Sequence, residues 1–252
     1  MTAEAGSPRN WFDRGGASYA RFRPEYPPAL AASLAGFAPS DALAVDVGCG
    51  SGQLTAQLAG VFRAVVGLDP SADQIASAPA RAGIRYACAP AEALPLPDRG
   101  ADLIAAAQAA HWFDLDAFYA EVRRVLVPGG ALALVTYGVI EADGEAGRVL
   151  RHFYRDVIGP YWPPERRHVE TGYRTLPFPF AEVSPPALAM TRDWSLADLL
   201  GYVGTWSAVR NAETSLGREP LDRFGRELGA AWGEPERRRE IRWPLSMRIG
   251  HV

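Results

Sequence analysis

The sequence predicts an α/β fold in which a doubly wound, mostly parallel sheet ends in one antiparallel strand. Between residues 42 and 135, short apolar runs alternate with longer amphipathic or alanine-rich stretches, as successive βα units do. The first apolar run passes directly into a glycine-rich turn. The last residues, 241–252, alternate apolar and polar side chains, which is typical of a half-buried strand.

Five apolar runs are predicted to be the first strands of the sheet. Each is short and is bounded by turn residues or by a helix-like stretch. Five strands separated in this way are typical of a Rossmann-like, doubly wound sheet. In order, the runs span residues 42–47, 64–68, 84–89, 101–106 and 130–136.

Three stretches between these strands are predicted to be helices. Residues 53–60 leave the glycine turn, residues 71–81 begin with a serine cap, and residues 116–126 begin with an aspartate. In the third stretch four apolar residues share one face, which we expect to pack on the sheet. They are Phe118, Val122, Val125 and Leu126.

We predict a single domain over residues 1–252 with two additions at the ligand-binding edge. Residues 11–28, dense in aromatics, arginines and prolines, are predicted to form an N-terminal lid. Residues 145–186 are predicted to form a substrate-side insertion after the fifth strand. Beyond it we expect a strand at 187–194, a helix at 196–210 and the terminal antiparallel strand.

Every one of the 26 basic residues is an arginine, because the 252-residue chain contains no lysine. This absence excludes Schiff-base catalysis, a pyridoxal-phosphate anchor and a P-loop lysine. The two cysteines, Cys49 and Cys88, form neither a disulfide framework nor a metal-ligand pattern. We therefore predict no metal site.

The charge and the hydropathy of the chain indicate which classes of partner it binds and where it is located. A net charge of −3 argues against nucleic-acid binding, which usually requires a basic face. No apolar stretch approaches the roughly 20 residues that span a bilayer, and residues 1–10 are polar. We therefore expect no nucleic-acid partner, no membrane partner and a cytoplasmic location.

The strongest local signal is the segment 45–52, Val-Asp-Val-Gly-Cys-Gly-Ser-Gly. Its alternating glycines let a ligand approach the backbone, and the helix N-terminus beyond them favours a carboxylate or a phosphate. A dinucleotide fingerprint has its last glycine where this chain has Gln53, so the spacing favours a nucleoside without a diphosphate. Asp46, before the loop, is placed to face an amine.

A second acid, Asp69, ends the next predicted strand, 19 residues after Gly50. A carboxylate at that position can accept both hydrogen bonds of a ribose diol, and the spacing agrees with the roughly 20 residues expected for this role. The alternative is that Asp69 only caps the following helix through Pro70 and Ser71.

Together these motifs resemble the class I S-adenosylmethionine-dependent methyltransferases, in particular the small-molecule branch similar to trans-aconitate methyltransferase. The resemblance covers most of the chain. The segments that carry it are 19–27, 46–52, 67–71, 91–98, 107–113, 123–130 and 205–208.

The resemblance implies that S-adenosyl-L-methionine is the cofactor and that the glycine loop binds its amino-acid end. Gly48, Cys49 and Gly50 would line the methionine portion. Asp46 would help to hold the amino group, and Asp69 would bind the ribose hydroxyls.

The resemblance also implies contacts on both sides of the cofactor. Pro70, Ala91 and Glu92 would lie at the adenine, although Glu92 has the alternative of being a plain surface carboxylate. Tyr19 and Arg23, in the lid, would close over the cofactor, with Arg23 facing its carboxylate.

The catalytic candidates are Gln108 and His111, at the end of the fourth predicted strand. Gln108 and Trp112 would lie beside the cofactor, near the transferable methyl. His111 would take a proton from a hydroxyl or amine acceptor, or would be a satisfied core histidine. Trp112 and Phe113 could likewise be ordinary residues of the hydrophobic core instead of site residues.

The acceptor is predicted to be a small molecule bound by the lid, the insertion and the segment 205–208. The substrate-binding candidates are Tyr26, Trp162, Arg166 and Trp206. Aromatics and arginines together favour a flat or acidic molecule, although in a lysine-free chain arginine supplies every exposed cation. The insertion residues behind this prediction are Arg151, Arg155, Tyr161, Trp162, Arg166, Arg167, His168 and Tyr173.

The predicted reaction is an in-line displacement that transfers a methyl group to the acceptor. A carboxylate is the leading acceptor, and an N- or O-nucleophile of a secondary metabolite is the alternative. Two other functions stay open from the sequence: a nucleotide-dependent oxidoreductase and a non-catalytic cofactor-binding protein on the same fold.

Overall fold

A computed structural model of the chain describes residues 24–252. Within that part the chain forms two compact units, which we call the sheet unit and the helical unit. The predicted insertion, residues 145–186, is divided between them after Trp162. The sheet unit comprises Glu25–Glu141, Pro163–Thr191 and Ile241–Val252, and the helical unit contains Ala142–Trp162 and Arg192–Glu240.

Strands supply the framework of the sheet unit. They are β1 Leu43–Val47, β2 Ala64–Asp69, β3 Ile84–Cys88, β4 Ala101–Ala107, β5 Leu126–Tyr137, β6 Glu141–Ala142, β7 Ala181–Val183, β8 Ala189–Trp194 and β9 Arg239–His251. The bounds of β1 to β4, β8 and β9 are close to those predicted, whereas β6 and β7 were not predicted.

The strand order β3-β2-β1-β4-β5-β9 confirms the predicted topology. The pairs among β1 to β5 are all parallel, whereas β9 runs antiparallel to β5 and to β7. The order reverses between β1 and β4, so the carboxyl ends of these two strands form the crevice where open α/β sheets bind ligands.

Helices connect the strands and build the helical unit. The α-helices are α1 Ala29–Ala35, α2 Gln53–Leu58, α3 Ala72–Ala76, α4 Leu115–Val125, α5 Gly144–His152, α6 Arg166–Glu170, α7 Leu196–Gly204, α8 Ser207–Leu216 and α9 Glu219–Trp232. Shorter turns are the 3₁₀ helices Ala110–Trp112 and Gly159–Tyr161 and the π-helix Phe153–Val157.

The core of the sheet unit lies between the central strands and the helices that cover them. Val45, Ile104 and Leu132, on neighbouring strands, are completely buried. Helix α4 buries Phe118, Val122 and Val125 of the predicted apolar face, whereas the fourth predicted member, Leu126, is the first residue of β5. Strand β9 buries every second side chain from Ile241 to Ile249, as its alternation predicts. Burial of such large apolar side chains contributes about 1.5–3 kcal/mol each.

Three predicted elements differ from the structure. Helix α3 ends at Ala76 rather than at residue 81, because Pro79 disfavours helical backbone at the residue before it. Strand β5 begins at Leu126 and absorbs the Pro-Gly-Gly turn through a shift in its register against β4. The predicted helix 196–210 is two helices, because the backbone at Trp206 is extended.

Two further properties concern the chain from Pro24 onward. In that part, no helix combines the length and the apolar character that a bilayer crossing requires. The same residues contain no group of three potential metal ligands.

Candidate functional site

The candidate site lies in the sheet unit, where β1, β2 and β4 end side by side. Asp46 of β1 is in register with Gly67 of β2 and with Ala105 of β4. The glycine loop follows β1, Asp69 ends β2, and Gln108 follows β4. The topology therefore brings together candidates from three separate parts of the sequence.

The glycine loop is fixed by contacts with the protein itself. Gly48, Gly50 and Gly52 all have left-handed backbone angles, which non-glycine residues rarely adopt. A Cβ atom on Gly48 would lie 2.5 Å from the Cβ of Ala109, and one on Gly52 would collide with the ring of Tyr86. Two of the three glycines are therefore required by packing as well as by backbone conformation.

Four amide groups of this loop donate within the protein, that of Gly52 to the Cys49 carbonyl at 3.0 Å. The N–H groups of Gly48 and Cys49 both donate to the carbonyl of Leu68, at 2.7 and 3.0 Å. The N–H of Gly50 donates to the carboxylate of Asp69 at 2.9 Å. The neighbouring strand end therefore fixes the loop through three of these amides, and the predicted approach of a ligand to the loop backbone and to the helix N-terminus stays a prediction.

Asp69 links the glycine loop to helix α3. Its Oδ2 accepts the N–H of Gly50 and its Oδ1 accepts the N–H of Ser71, both at 2.9 Å. The hydrogen bond from Ser71 agrees with the alternative given by the sequence, in which Asp69 caps the following helix. A carboxylate has about four acceptor positions, so each oxygen keeps capacity for a ribose hydroxyl. Pro70, the next residue, is exposed.

Asp46 is a buried carboxylate directly beneath the loop. It is 1% exposed, and the Thr55 hydroxyl donates to its Oδ2 at 2.6 Å. Its Oδ1 is buried and accepts no hydrogen bond from the described residues. Burial raises the pKa of Asp46 to about 6, and the nearby charge of Asp69 acts in the same direction.

The other cofactor candidates of the sheet unit differ in exposure. Cys49 and Ala91 are buried, and burial raises the pKa of the Cys49 thiol well above its ordinary value. Glu92 accepts the backbone N–H of Asp114 at 2.9 Å. Trp112 is 46% exposed, so the alternative that it is a core residue is wrong. Phe113, by contrast, packs against Phe118 with ring centroids 5.0 Å apart.

Gln108 is held rigidly at the end of β4. Its Nε2 donates to the carbonyl of Tyr137 at 3.3 Å, and its Oε1 accepts the Thr136 hydroxyl at 3.1 Å. Its backbone has a φ of 56°, a left-handed value that is costly for a residue with a side chain. Such strain is found preferentially at functional sites, which favours a role for Gln108.

His111 lies one turn further, in the 3₁₀ helix, and is half-buried. Its Nδ1 lies 2.8 Å from the hydroxyl of Tyr173. Burial lowers the pKa of His111 to about 3, and the charges of Arg166 and His168 act in the same direction. The imidazole is therefore neutral at physiological pH.

The substrate-binding candidates fall into both units. In the sheet unit, Tyr26 is buried against Tyr137, and Arg166 begins helix α6. In the helical unit, the rings of Trp162 and Trp206 lie 5.7 Å apart in an aromatic cluster that also contains Tyr154. Their assignment to an acceptor stays a prediction.

Two lid candidates, Tyr19 and Arg23, lie outside the described residues. Conversely, sequence reasoning missed Thr136 and did not assign Tyr173 to the site, although Tyr173 was counted among the aromatics of the insertion. The signal available for Tyr173 is the preceding Gly172, since glycine marks positions where the backbone turns left-handed.

Comparisons with known proteins agree on one family. Residues 45–134 match the family described as Methyltransferase domain. A Dictyostelium discoideum protein named as a methyltransferase is 34% identical over 214 residues, which cover 82% of this chain and 81% of that protein. A fatty-acid O-methyltransferase of Mycolicibacterium smegmatis is 37% identical over 92 residues, 34% of each chain.

Solved structures give the same result. One from Anaeromyxobacter dehalogenans, described as a type II methyltransferase, is 47% identical to this chain. It superimposes with a TM-score of 0.87 and covers 91% of this chain and 97% of its own. The similarity extends over nearly the whole length, so it includes both the sheet unit and the helical unit.

The residues at the edge of the sheet fit S-adenosylmethionine. Asp69 keeps acceptor capacity for two hydroxyl groups, and the buried Oδ1 of Asp46 has no donor among the described residues. A carboxylate in that state favours a nearby cation, which the amino group of the cofactor would supply. The chain belongs to the class I S-adenosylmethionine-dependent methyltransferases.

Proposed function

We propose that the enzyme methylates the carboxylate of a small-molecule acid. The observation that carries this proposal is the state of His111, whose pKa is lowered to about 3 by burial and by the charge of Arg166. An efficient general base has a pKa near the working pH, so His111 is poorly suited to remove a proton. A carboxylate needs no such base, because it is ionised above about pH 4.

The charges near His111 support an anionic acceptor. The guanidinium of Arg166 acts electrostatically on His111 and so contributes positive potential at the imidazole. Trp112 adds exposed aromatic surface beside it, with ring centroids 4.9 Å apart. An acid with an apolar body complements this combination of charge and surface. The partial similarity to a fatty-acid O-methyltransferase points in the same direction.

The protein's contribution to this reaction is binding and alignment. S-adenosylmethionine supplies a sulfonium methyl when bound, and transfer of that methyl to a carboxylate oxygen forms one O–C bond, breaks one S–C bond and releases no proton. We assign Asp46, Asp69 and the glycine loop to hold the cofactor, and Gln108, His111 and Trp112 to face the acceptor. Alignment of two reactants can supply roughly 7–11 kcal/mol.

The acceptor class can be tested with methyl-labelled cofactor and a panel of carboxylic acids, phenols and N-heterocycles that share carbon frameworks. We expect label only in the acids, in products that mild alkali hydrolyses as it hydrolyses esters. The amide of each acid serves as its matched control. Label confined to alkali-stable products would contradict the proposal.

A substitution of Arg166 tests the role of a single residue in recognition of the acid. Arg166→Ala should raise KM for the acid about tenfold, because a charge-assisted interaction is lost. Arg223→Ala removes an exposed arginine in helix α9 of the helical unit and should leave KM unchanged. Equal effects of the two substitutions would count against a role for Arg166 in acid recognition.

A further inference from the structure

The loop between β3 and β4, residues 89–100, begins beside the residue that we assign to the ribose. The N–H of Ala89 donates to the carbonyl of Asp69 at 3.2 Å, and Cys88, the last residue of β3, is in register with Asp69. We assign the methionine end of the cofactor to the loop after β1 and the ribose to the end of β2. The base would then extend toward β3, the next strand of the sheet, and reach the β3–β4 loop.

The β3–β4 loop has few backbone donors with which to fix its own shape. Pro90, Pro95 and Pro97 have no N–H group, and all three are exposed. Residues 89–100 form neither helix nor strand. Leu94 is the residue of this stretch whose side chain anchors it, because it is buried. A segment of this kind keeps one conformation only where neighbouring elements hold it.

Two charged side chains near the end of helix α4 hold the loop. The Arg124 guanidinium donates to the carbonyls of Leu94 and Leu96, at 2.9 and 2.7 Å, and to the carboxylate of Asp98 at 2.9 Å. The carboxylate of Glu121 accepts the N–H of Leu94 at 2.7 Å. Both backbone polar groups of Leu94 are therefore held by side chains of α4, and the guanidinium binds the loop at alternate residues.

Arg124 and Glu121 also hold each other. Nε of Arg124 donates to Oε1 of Glu121 at 2.8 Å and Nη2 donates to Oε2 at 2.6 Å, which is the paired geometry of a planar guanidinium and a carboxylate. The hydrogen bond from Arg124 is the main cause that lowers the pKa of Glu121. The guanidinium is thereby fixed with its other N–H groups directed at the loop. A lysine ammonium lacks this planar set of donors.

Helix α4 does not need these contacts for its own position. Phe118, Val122 and Val125 are completely buried on another of its faces and pack in the core of the sheet unit. Arg124 lies toward the amino end of β4, because its carbonyl accepts the N–H of Arg99 at 2.8 Å. It is therefore remote from the edge where the cofactor would bind, and any effect on the cofactor passes through the loop.

We propose that Arg124 is a positioning residue for cofactor binding, which clamps Leu94 together with Glu121 and so holds the β3–β4 loop in the conformation that receives the adenine. The proposal rests on the assignment of Asp69 to the ribose and is independent of the acceptor. Loss of Arg124 should therefore weaken recognition of the base and spare recognition of the amino-acid end.

Hydrogen exchange on the full-length protein without ligand tests the positioning. In Arg124→Gln the amides of residues 91–98 should exchange about tenfold faster than in the wild-type protein, whereas those of β1 and β4 should keep their rates. Arg123→Gln is the matched control, because this neighbouring guanidinium donates to the carbonyls of Tyr119 and Pro179 instead. Unchanged exchange of the loop in a folded Arg124→Gln protein would overturn the proposal.

Calorimetry with two ligands tests the link to the base. S-ribosylhomocysteine keeps the ribose and the amino-acid end of S-adenosylhomocysteine but has a hydroxyl in place of the adenine, and its affinity is measured by competition. Arg124→Gln should bind S-adenosylhomocysteine about tenfold more weakly, since the loop must now be ordered on binding, and S-ribosylhomocysteine within about twofold of wild type. Equal losses for the two ligands would contradict a role directed at the base.

Two milder substitutions decide the matter if Arg124→Gln does not fold. Arg124→Lys keeps the charge without the paired geometry, and Glu121→Gln keeps an acceptor for the Leu94 N–H while weakening the pair. Both should show a smaller loss, about threefold, confined to S-adenosylhomocysteine. No loss in either folded variant would refute the clamp. Asp69→Ala should weaken both ligands, and unchanged affinity for both would remove the ribose assignment on which the adenine contact rests.

Discussion

Replacing Asp69 with alanine is expected to weaken S-adenosylmethionine binding about 10- to 150-fold. The substitution would remove the two charge-assisted hydrogen bonds that we propose between Asp69 and the ribose diol, together worth about 1.5–3 kcal/mol. It also releases the N–H groups of Gly50 and Ser71, which the carboxylate holds at 2.9 Å. Isothermal titration calorimetry with S-adenosylmethionine and S-adenosylhomocysteine measures the loss for both ligands.

Two variants separate ribose binding from support of the loop. Asp69→Asn keeps one acceptor oxygen, so its affinity for the cofactor should lie between those of the wild-type protein and Asp69→Ala. Asp73→Ala removes an exposed carboxylate from the first turn of helix α3 and should bind the cofactor normally. An Asp69→Ala protein that is folded and binds within about twofold of wild type would show that this carboxylate only caps the helix.

Replacing Asp46 with asparagine is expected to change the pH dependence of both stability and cofactor affinity. The folded-state pKa of Asp46, about 6, lies above its ordinary value of 3.8. Its favourable contribution to stability is therefore fully present below about pH 4 and is lost as pH rises through about 6. The loss amounts to about 3 kcal/mol, because one pH unit corresponds to about 1.4 kcal/mol.

Urea unfolding at about pH 4 and pH 7.5 gives the change in unfolding free energy between the two pH values for each protein. The effect of Asp46 is the difference between the two changes. Relative to wild type, the asparagine variant should gain about 3 kcal/mol in unfolding free energy between the two pH values, because any constant cost of the buried amide cancels. Asp69, the carboxylate whose charge acts on Asp46, is present in both proteins. Parallel stability curves would contradict the raised pKa.

Cofactor affinity should show the opposite dependence. The cationic amino group that we propose to lie at Asp46 would favour its ionised form. Wild-type binding should therefore tighten as pH rises through about 6, whereas binding to the asparagine variant should not. Asp102→Asn is the control for a buried aspartate, since Asp102 accepts hydrogen bonds from Ser40 and Leu43 and lies outside the site. Loss of the pH dependence in that variant as well would point away from Asp46.

The sequence pattern predicts most of the sheet and the position of its acids. Runs of buried residues have a period that can be read locally, so β1 to β5 and the alternation of β9 follow from neighbours along the chain. Asp46 and Asp69 are adjacent to strand ends, and parallel strands bring their carboxyl ends to one edge. Their proximity is therefore a consequence of topology.

The contacts that define the chemistry are not local. His111 and Tyr173 are 62 residues apart, and Gln108 and Thr136 are 28 apart, so no periodicity connects them. The use of the Gly48 and Cys49 amides by the Leu68 carbonyl likewise depends on how two strand ends meet. Propensity and spacing carry no information on such pairs, which tertiary packing alone determines.

The dependence of kcat on pH tests most directly whether the transfer proceeds without a general base. The measurement uses saturating cofactor and the acid identified in the acceptor panel, so that binding effects through Asp46 are removed. We predict that kcat varies less than about twofold between pH 6.5 and 9, because the acceptor is already ionised and His111 does not titrate there. A roughly tenfold rise per pH unit anywhere in that range would reveal a base and contradict the account.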